Sequence, residues 1–211
     1  MTTWAIIPVK PLGRAKSRLS AVLTTEERQD LAESLLRHVV KTVKQVPGIA
    51  GVLVISRDTR ALALTRDMGA NTVQESGTPE LNNALMRATQ VITAWRGRAV
   101  LVLPADLPLI TEEDITEILK LGEDEGTVVL ATDRNQDGTN ALFSRPPGLI
   151  PYTFGPDSFL RHLSLAKEAG AEVKVYSSDT IQLDIDIPAD LDLLRRLRPH
   201  FELPVNFSAQ S

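Results

Sequence analysis

Trp4-Ala-Ile-Ile-Pro-Val-Lys10-Pro-Leu-Gly13-Arg14-Ala-Lys16-Ser17-Arg18-Leu19 decides how this chain is read. The apolar run from Trp4 to Val9 reads as a buried strand, and it passes directly into a loop carrying Lys10, Arg14, Lys16 and Arg18. In open α/β sheets ligands bind just beyond the carboxyl ends of strands, so cations gathered there form an anion trap. The whole chain has a formal net charge of -4, which makes the cluster a local device. A triphosphate is the anion that suits it. Gly13 permits close backbone approach, and arginine can grip phosphate through two nitrogens at once. Lys16-Ser17 lacks the glycine pattern that a Walker loop requires. A solvated charged loop is the plainer reading of the same residues.

Outward from this stretch, short apolar strands alternate with helical stretches. Thr24 opens a helix with Glu27 three residues on, a capping box, and Leu31, Leu35, Val39, Val43 and Val46 form its apolar stripe. Pro47-Gly48 ends it. Gly51 to Ser56, Asn71 to Gln74 and Ala99 to Leu103 read as strands, and Asp58 to Met68 and Glu80 to Trp95 as helices. Thr111 caps a further helix, with Asp114 at its third position. Thr127 to Thr132, Ala141 to Phe143, Glu172 to Tyr176 and Ile181 to Ile185 read as strands. Ser158 to Ala169 and Ala189 to Leu197 read as helices, the last opened by Pro188. Such alternation predicts an α/β fold: three layers around a mostly parallel, mixed sheet. Residues 1–198 are expected to form a single domain, and 199–211 a loose tail. Asp133 to Ser158, rich in Gly, Pro, Asn and Asp, interrupts the alternation, and long loops of that kind are usually functional.

Composition excludes several classes. The chain has 211 residues, 43% of them hydrophobic and 24% charged, the balance of a globular protein with a real core. It has no cysteine, so thiolate chemistry, disulfides and cysteine zinc sites are ruled out. No apolar run approaches a membrane span, the start does not read as a signal peptide, and a cytoplasmic location is expected. The acidic balance argues against nucleic acid as a partner.

Three further constellations could carry chemistry. In Leu101-Val-Leu-Pro104-Ala-Asp106-Leu-Pro108 a carboxylate follows an apolar strand between two stiffening prolines, a suitable holder for Mg²⁺ beside a triphosphate. A turn-forming aspartate is the alternative. In Leu183-Asp184-Ile-Asp186-Ile-Pro188 two carboxylates lie two residues apart, on one face if the segment is extended. They repel unless a cation lies between them. Asp186 could instead cap the helix at Pro188. Asp137-Gly-Thr139-Asn140 and Phe154-Gly155-Pro-Asp-Ser158 offer hydroxyls and free N–H groups, and the second leads into a helix N-terminus suited to an acceptor's phosphate or carboxylate. A plain turn and a plain cap are the bland readings. His38, His162 and His200 have no metal-ligand spacing. His38 reads as structural or exposed, and His162, one turn into its helix, is the histidine that could face the site. Trp4 and Trp95 read as core.

Taken together, Pro8 to Leu19, Ala105-Asp106-Leu-Pro108, Gly138-Thr139, Phe154 to Ser158 and Leu183 to Leu191 resemble the guanylyltransferase family of coenzyme F420 biosynthesis. That family includes the 2-phospho-L-lactate and phosphoenolpyruvate guanylyltransferases. The resemblance spans nearly the whole chain, with the first and fourth motifs the specific ones. It implies a nucleotide-diphospho-sugar transferase type of fold. It implies that Lys10, Gly13, Arg14, Lys16 and Arg18 bind the GTP phosphates, with Lys10, Arg14, Lys16 and Asp106 catalytic. Asp106, Asp184 and Asp186 are implied as Mg²⁺ ligands, and Thr139, Gly155 and Ser158 as binding a phosphorylated three-carbon acid. Phosphoenolpyruvate is the expected acceptor, with 2-phospho-L-lactate and 3-phospho-D-glycerate as alternatives. A homodimer and hand-off of product to a downstream transferase are also expected by resemblance. The similar molybdenum-cofactor guanylyltransferases carry a Gly-Gly pair in the first loop that this chain lacks. A nucleotidyltransferase with another base preference, and a non-catalytic nucleotide-sensing module, remain competing readings.

Overall fold

Strand β1 (Thr3–Val9) shows how the layers arise. Side chains alternate across a strand, and here Ala5, Ile7 and Val9 enter one apolar layer while Ile6 enters another. The computed structural model describes residues 2–76 and 80–198. The expected loose tail and His200 lie outside them.

The other strands are β2 (Ile49–Ser56), β3 (Asn71–Gln74), β4 (Ala99–Val102), β5 (Thr127–Thr132), β6 (Thr139–Arg145) and β7 (Glu172–Val175). They form one sheet in the order β3-β2-β1-β4-β6-β5-β7. β1 runs parallel to β2 and β4, whereas β6 is antiparallel to both β4 and β5, so the sheet is mixed as expected. On one face pack α1 (Thr25–Gln45), α2 (Thr59–Asp67) and α4 (Glu112–Leu121), through residues such as Val39, Leu62 and Ile115. On the other pack α3 (Leu81–Ala94) and α5 (Ser158–Glu168), through Leu85, Ile92 and Phe159. A third apolar cluster joins Leu31 and Leu35 of α1 to Leu191 and Leu194 of α6 (Pro188–Leu197). Leu19, Leu183 and Ile185 are buried in that cluster, which clamps the basic loop and the Asp184–Asp186 segment in place.

The capping boxes at Thr24 with Glu27 and at Thr111 with Asp114 are both formed. Three expectations need correction. Ile181 to Ile185 is not a strand. Its backbone bonds go elsewhere: the Ile181 carbonyl accepts from Asn140 Nδ2 at 2.9 Å, and the Ile185 N–H donates to the Asp106 carbonyl at 3.2 Å. The apolar residues Leu183 and Ile185 that suggested a strand are buried against helices instead. The interruption at Asp133 to Ser158 contains a longer strand than expected, β6, all seven of whose residues are buried. Trp95 is not core: it is 46% exposed, with its ring tilted against Trp4 at 5.0 Å. No helix among the described residues is long and apolar enough to cross a membrane.

Candidate active site

Two loops meet because their strands are neighbours. β1 and β4 pair side by side in parallel, and from there the chain builds the sheet in opposite directions. That is the switch point at which open α/β sheets bind ligands. The basic loop leaves β1 there, and the Asp106 loop leaves β4. Two short 3-10 turns, Leu12–Arg14 and Ser17–Leu19, shape the first. Asp58, at the end of β2, anchors it by accepting from the Leu12 N–H at 2.7 Å while also capping α2. The loop side of Asp58's role went unread in the sequence, where an N-cap aspartate explains itself.

Lys16 sits at the centre. Its backbone adopts a left-handed conformation, φ 54° and ψ 36°, uncommon for a residue with a side chain and a frequent mark of a functional position. Its ammonium contacts Asp106 Oδ2 at 2.5 Å and Asp186 Oδ1 at 3.3 Å, and its side chain is only 8% exposed. Burial alone would lower the ammonium's pKa, but the Asp106 and Asp186 carboxylates overcome this and the net shift is upward. Lys16, grouped in the sequence with the phosphate-binding cations, is therefore placed as the counter-ion of two carboxylates. Arg18 reaches Asp186 at 3.7 Å from an exposed position. Lys10, Gly13 and Arg14 are exposed around it, with open space where a Cβ on Gly13 would lie.

Asp184 completes the acidic group. Its carboxyl is pushed up to about 6, first by burial and then by repulsion from Asp106 and Asp186. Asp186 does not cap α6. Asp190 does so, its carboxylate accepting from the N–H groups of Asp186 and Ile187, each at 2.9 Å, and pairing with Arg134. This leaves the Asp186 side chain free for Lys16.

Mg²⁺ is usually held by one or two carboxylates, with water and substrate phosphates filling its other positions. Asp106, Asp184 and Asp186 supply hard oxygen donors of that kind. The Asp184 carboxyl is raised first by burial and further by the charges of Asp106 and Asp186, so these three carboxylates act on one another. Among the described residues no three His, Cys, Asp or Glu side chains are gathered closely enough to form a metal site by themselves. What suits Mg²⁺ here is the chemistry of the donors, hard carboxylate oxygens beside a basic loop.

The other two motifs also come together. Asp137 accepts from the Asp157 N–H through its carboxylate at 2.7 Å and from the Phe159 N–H through its carbonyl at 3.1 Å. These N–H groups at the start of α5 are therefore taken by the neighbouring loop, and the helix end is not an open anion site. Thr139 and Ser158 lie buried together with His162, and Gly155 is exposed at φ 133°. Asn82 of α3 was overlooked in the sequence. Its amide clasps the Phe154 backbone, Oδ1 accepting from the N–H at 2.8 Å and Nδ2 donating to the carbonyl at 3.3 Å. A cleft of about 710 Å³ between α3 and residues 147–152 lies on the flank and contains none of the carboxylates.

Residues 3–195 match the family model described as "Guanylyl transferase CofC like". This chain belongs to that family. Members of the CofC-like family are nucleotidyltransferases, and two relatives show how near the likeness is. The phosphoenolpyruvate guanylyltransferase of Rubrobacter xylanophilus is 39% identical over 191 residues, covering 90% of this chain and 92% of the relative. The 2-phospho-L-lactate guanylyltransferase of Methanocaldococcus infernus is 37% identical over 186 residues, covering 88% and 81%. A crystal structure from Desulfovibrio desulfuricans, assigned as a nucleotide-diphospho-sugar transferase, superposes with a TM-score of 0.78 at 15% identity, covering 95% of this chain and 89% of that one. At that identity the likeness concerns the fold, and it agrees with the architecture expected of the CofC-like family.

Proposed function

We propose that this CofC-like protein condenses GTP with phosphoenolpyruvate, giving enolpyruvoyl-2-diphospho-5'-guanosine and diphosphate, in the cytoplasm and within coenzyme F420 biosynthesis. The observation that carries the reading is the meeting of Lys16, Asp106, Asp184 and Asp186 at the switch point. Such a site stabilises phosphate charge, and of the described histidines His38 is bonded to the Ile110 carbonyl and His162 to Thr139 and Thr153, which suits an acceptor whose nucleophile is already ionised. An oxygen of the acceptor phosphate attacks the α-phosphorus of GTP, the bond from that phosphorus to the α,β-bridging oxygen breaks, and diphosphate leaves. Catalysis then rests on positioning and electrostatic stabilisation. Lys10, Arg14 and Arg18, exposed on the first loop, draw in the triphosphate and steady the departing diphosphate. Lys16 pairs with Asp106 and Asp186 and holds the two carboxylates close together. Mg²⁺, held by Asp106, Asp184 and Asp186, would supply charge neutralisation between acceptor and nucleotide phosphates. Thr139, Gly155 and Ser158 line the acceptor end, and the product is passed to a downstream transferase.

The relative from Methanocaldococcus infernus favours a second acceptor, 2-phospho-L-lactate, on the same chemistry. Diphosphate release is the test, with Mg²⁺, GTP and phosphoenolpyruvate, 2-phospho-L-lactate or 3-phospho-D-glycerate added in turn. Release with phosphoenolpyruvate is expected. Release with another of the acids alone reassigns the acceptor, and GTP binding without release under any condition replaces the enzyme by a sensing module.

A further inference from the structure

Two buried hydroxyls and one buried imidazole form a hydrogen-bonded chain that leaves one O–H over. The His162 ring is fully buried. Its Nε2 accepts from the backbone N–H of Thr153 at 3.0 Å. A neutral imidazole has one lone pair, so the proton must sit on Nδ1. Nδ1 lies 3.0 Å from Thr139 Oγ1 and therefore donates to it. Thr139 Oγ1 also accepts from Ser158 Oγ at 3.2 Å. Both lone pairs of Thr139 are then occupied, and its own hydroxyl hydrogen has no acceptor among the described residues.

The ring has little freedom to arrange this differently. The edge-on ring of Phe154 lies against it at 4.9 Å, and Asn82 holds the Phe154 backbone from α3. The adjoining Arg161 guanidinium donates to the carbonyls of Thr153 and Pro156. Burial, followed by the nearby Arg161 charge, holds the imidazole down to about 4, so it stays neutral at ordinary pH and the polarity of the network does not reverse.

We infer that His162 is a positioning residue: by donating to Thr139 it turns the Thr139/Ser158 pair into a donor with one uncommitted O–H, directed at an anionic oxygen of the acceptor acid. The inference rests on the acceptor site proposed above. It accounts for a buried histidine that the chemistry of transfer does not use. It also assigns the recognised feature of the acceptor, a carboxylate or phosphate oxygen that can only accept a hydrogen bond. A hydroxyl at the same place on the ligand would find a weaker partner.

Two substitutions separate this role from simple packing. Asparagine places its amide nitrogen near the position of Nδ1, and glutamine places its polar end near Nε2. His162→Asn keeps the donor to Thr139, whereas His162→Gln keeps only the contact with Thr153. Diphosphate release is followed with GTP and the acceptor varied separately, after thermal unfolding confirms that each variant is folded. His162→Gln is expected to raise the KM for the acceptor about tenfold, the scale of one hydrogen bond to a charged group, and to leave the KM for GTP unchanged. His162→Asn should stay within about threefold of the wild type. In a Thr139→Val background His162→Gln should have no further effect on the acceptor KM, because the residue acts through that hydroxyl. Equal losses in His162→Asn and His162→Gln, a parallel rise in both KM values, or full additivity with Thr139→Val would reduce His162 to a packing residue. Should either His162 variant fail to fold, Thr139→Ser against Thr139→Val tests the hydroxyl through which His162 acts, and equal acceptor KM values in the two would overturn the proposal. Absence of acceptor-dependent release in the wild type is a separate result, which overturns the assignment of the reaction itself.

Discussion

Asp114 and Asp184 are both shielded carboxylates, and the protein treats them in opposite ways. Asp114 accepts from the hydroxyls of Tyr176, Ser178 and Thr180, and from the N–H and hydroxyl of Thr111. Burial alone would raise its pKa, but these hydrogen bonds win and the net shift is downward. Asp184 is pushed up to about 6 by burial and by two carboxylate neighbours, and no other residue among those described donates a hydrogen bond to it. A carboxylate that the fold uses is satisfied by the fold. One buried beside like charges costs stability, which is consistent with the cation-binding role proposed for Asp184.

The largest effect that could break this contrast is on turnover. Asp106→Ala is expected to lower the rate of diphosphate release by about 10²–10³-fold or more, as loss of a principal electrostatic contact does. Folding should survive, because Asp186 still pairs Lys16, and the circular dichroism melting curve should remain cooperative. Turnover near wild type would remove Asp106 from the site. Asp114→Ala should do the reverse, costing about 3 kcal/mol of stability in urea unfolding, since it strands several donors at once. The kcat of the folded fraction should stay within a few-fold of wild type.

Protonation gives a third, comparable test. The imidazole of His162 titrates near 6.5 when unfolded and is held down to about 4 in the fold. Its neutral form therefore contributes stability fully above about pH 6.5, and that contribution is lost as pH falls towards 4. Roughly 3 kcal/mol is at stake for a shift of that size. Urea midpoints measured between pH 7 and pH 4 should fall more steeply for the wild type than for His162→Asn. Parallel curves would mean that the ring is not held neutral by the fold.

The smallest effect is the sharpest in sign. Asp184→Asn, in the absence of divalent cation, should raise stability by about 1 kcal/mol by removing a repelled charge. It should also weaken the upward shift of the wild-type melting temperature on adding Mg²⁺. Destabilisation by Asp184→Asn would place Asp184 with Asp114 among structural carboxylates.

Much of this was legible in the chain. Strand β1, the capping boxes at Thr24 and Thr111, and the cations from Lys10 to Arg18 depend on spacing within a few residues, which sequence displays directly. The alternation of strand and helix bounded the fold for the same reason. Asp184 and Asp186 are partly exposed while Leu183 and Ile185 beside them are buried, the alternation that the sequence displays, although the expected strand did not form. Tertiary structure alone decided what depends on distant neighbours. Lys16 became the counter-ion of Asp106 and Asp186, residues 90 and 170 positions away. Asn82 grips Phe154 from 72 positions away, and His162 received its tautomer from Thr153 and its partner from β6. Hydrogen-bond polarity and pKa are properties of the assembled surroundings, whereas helix caps, turns and alternation are properties of adjacent residues.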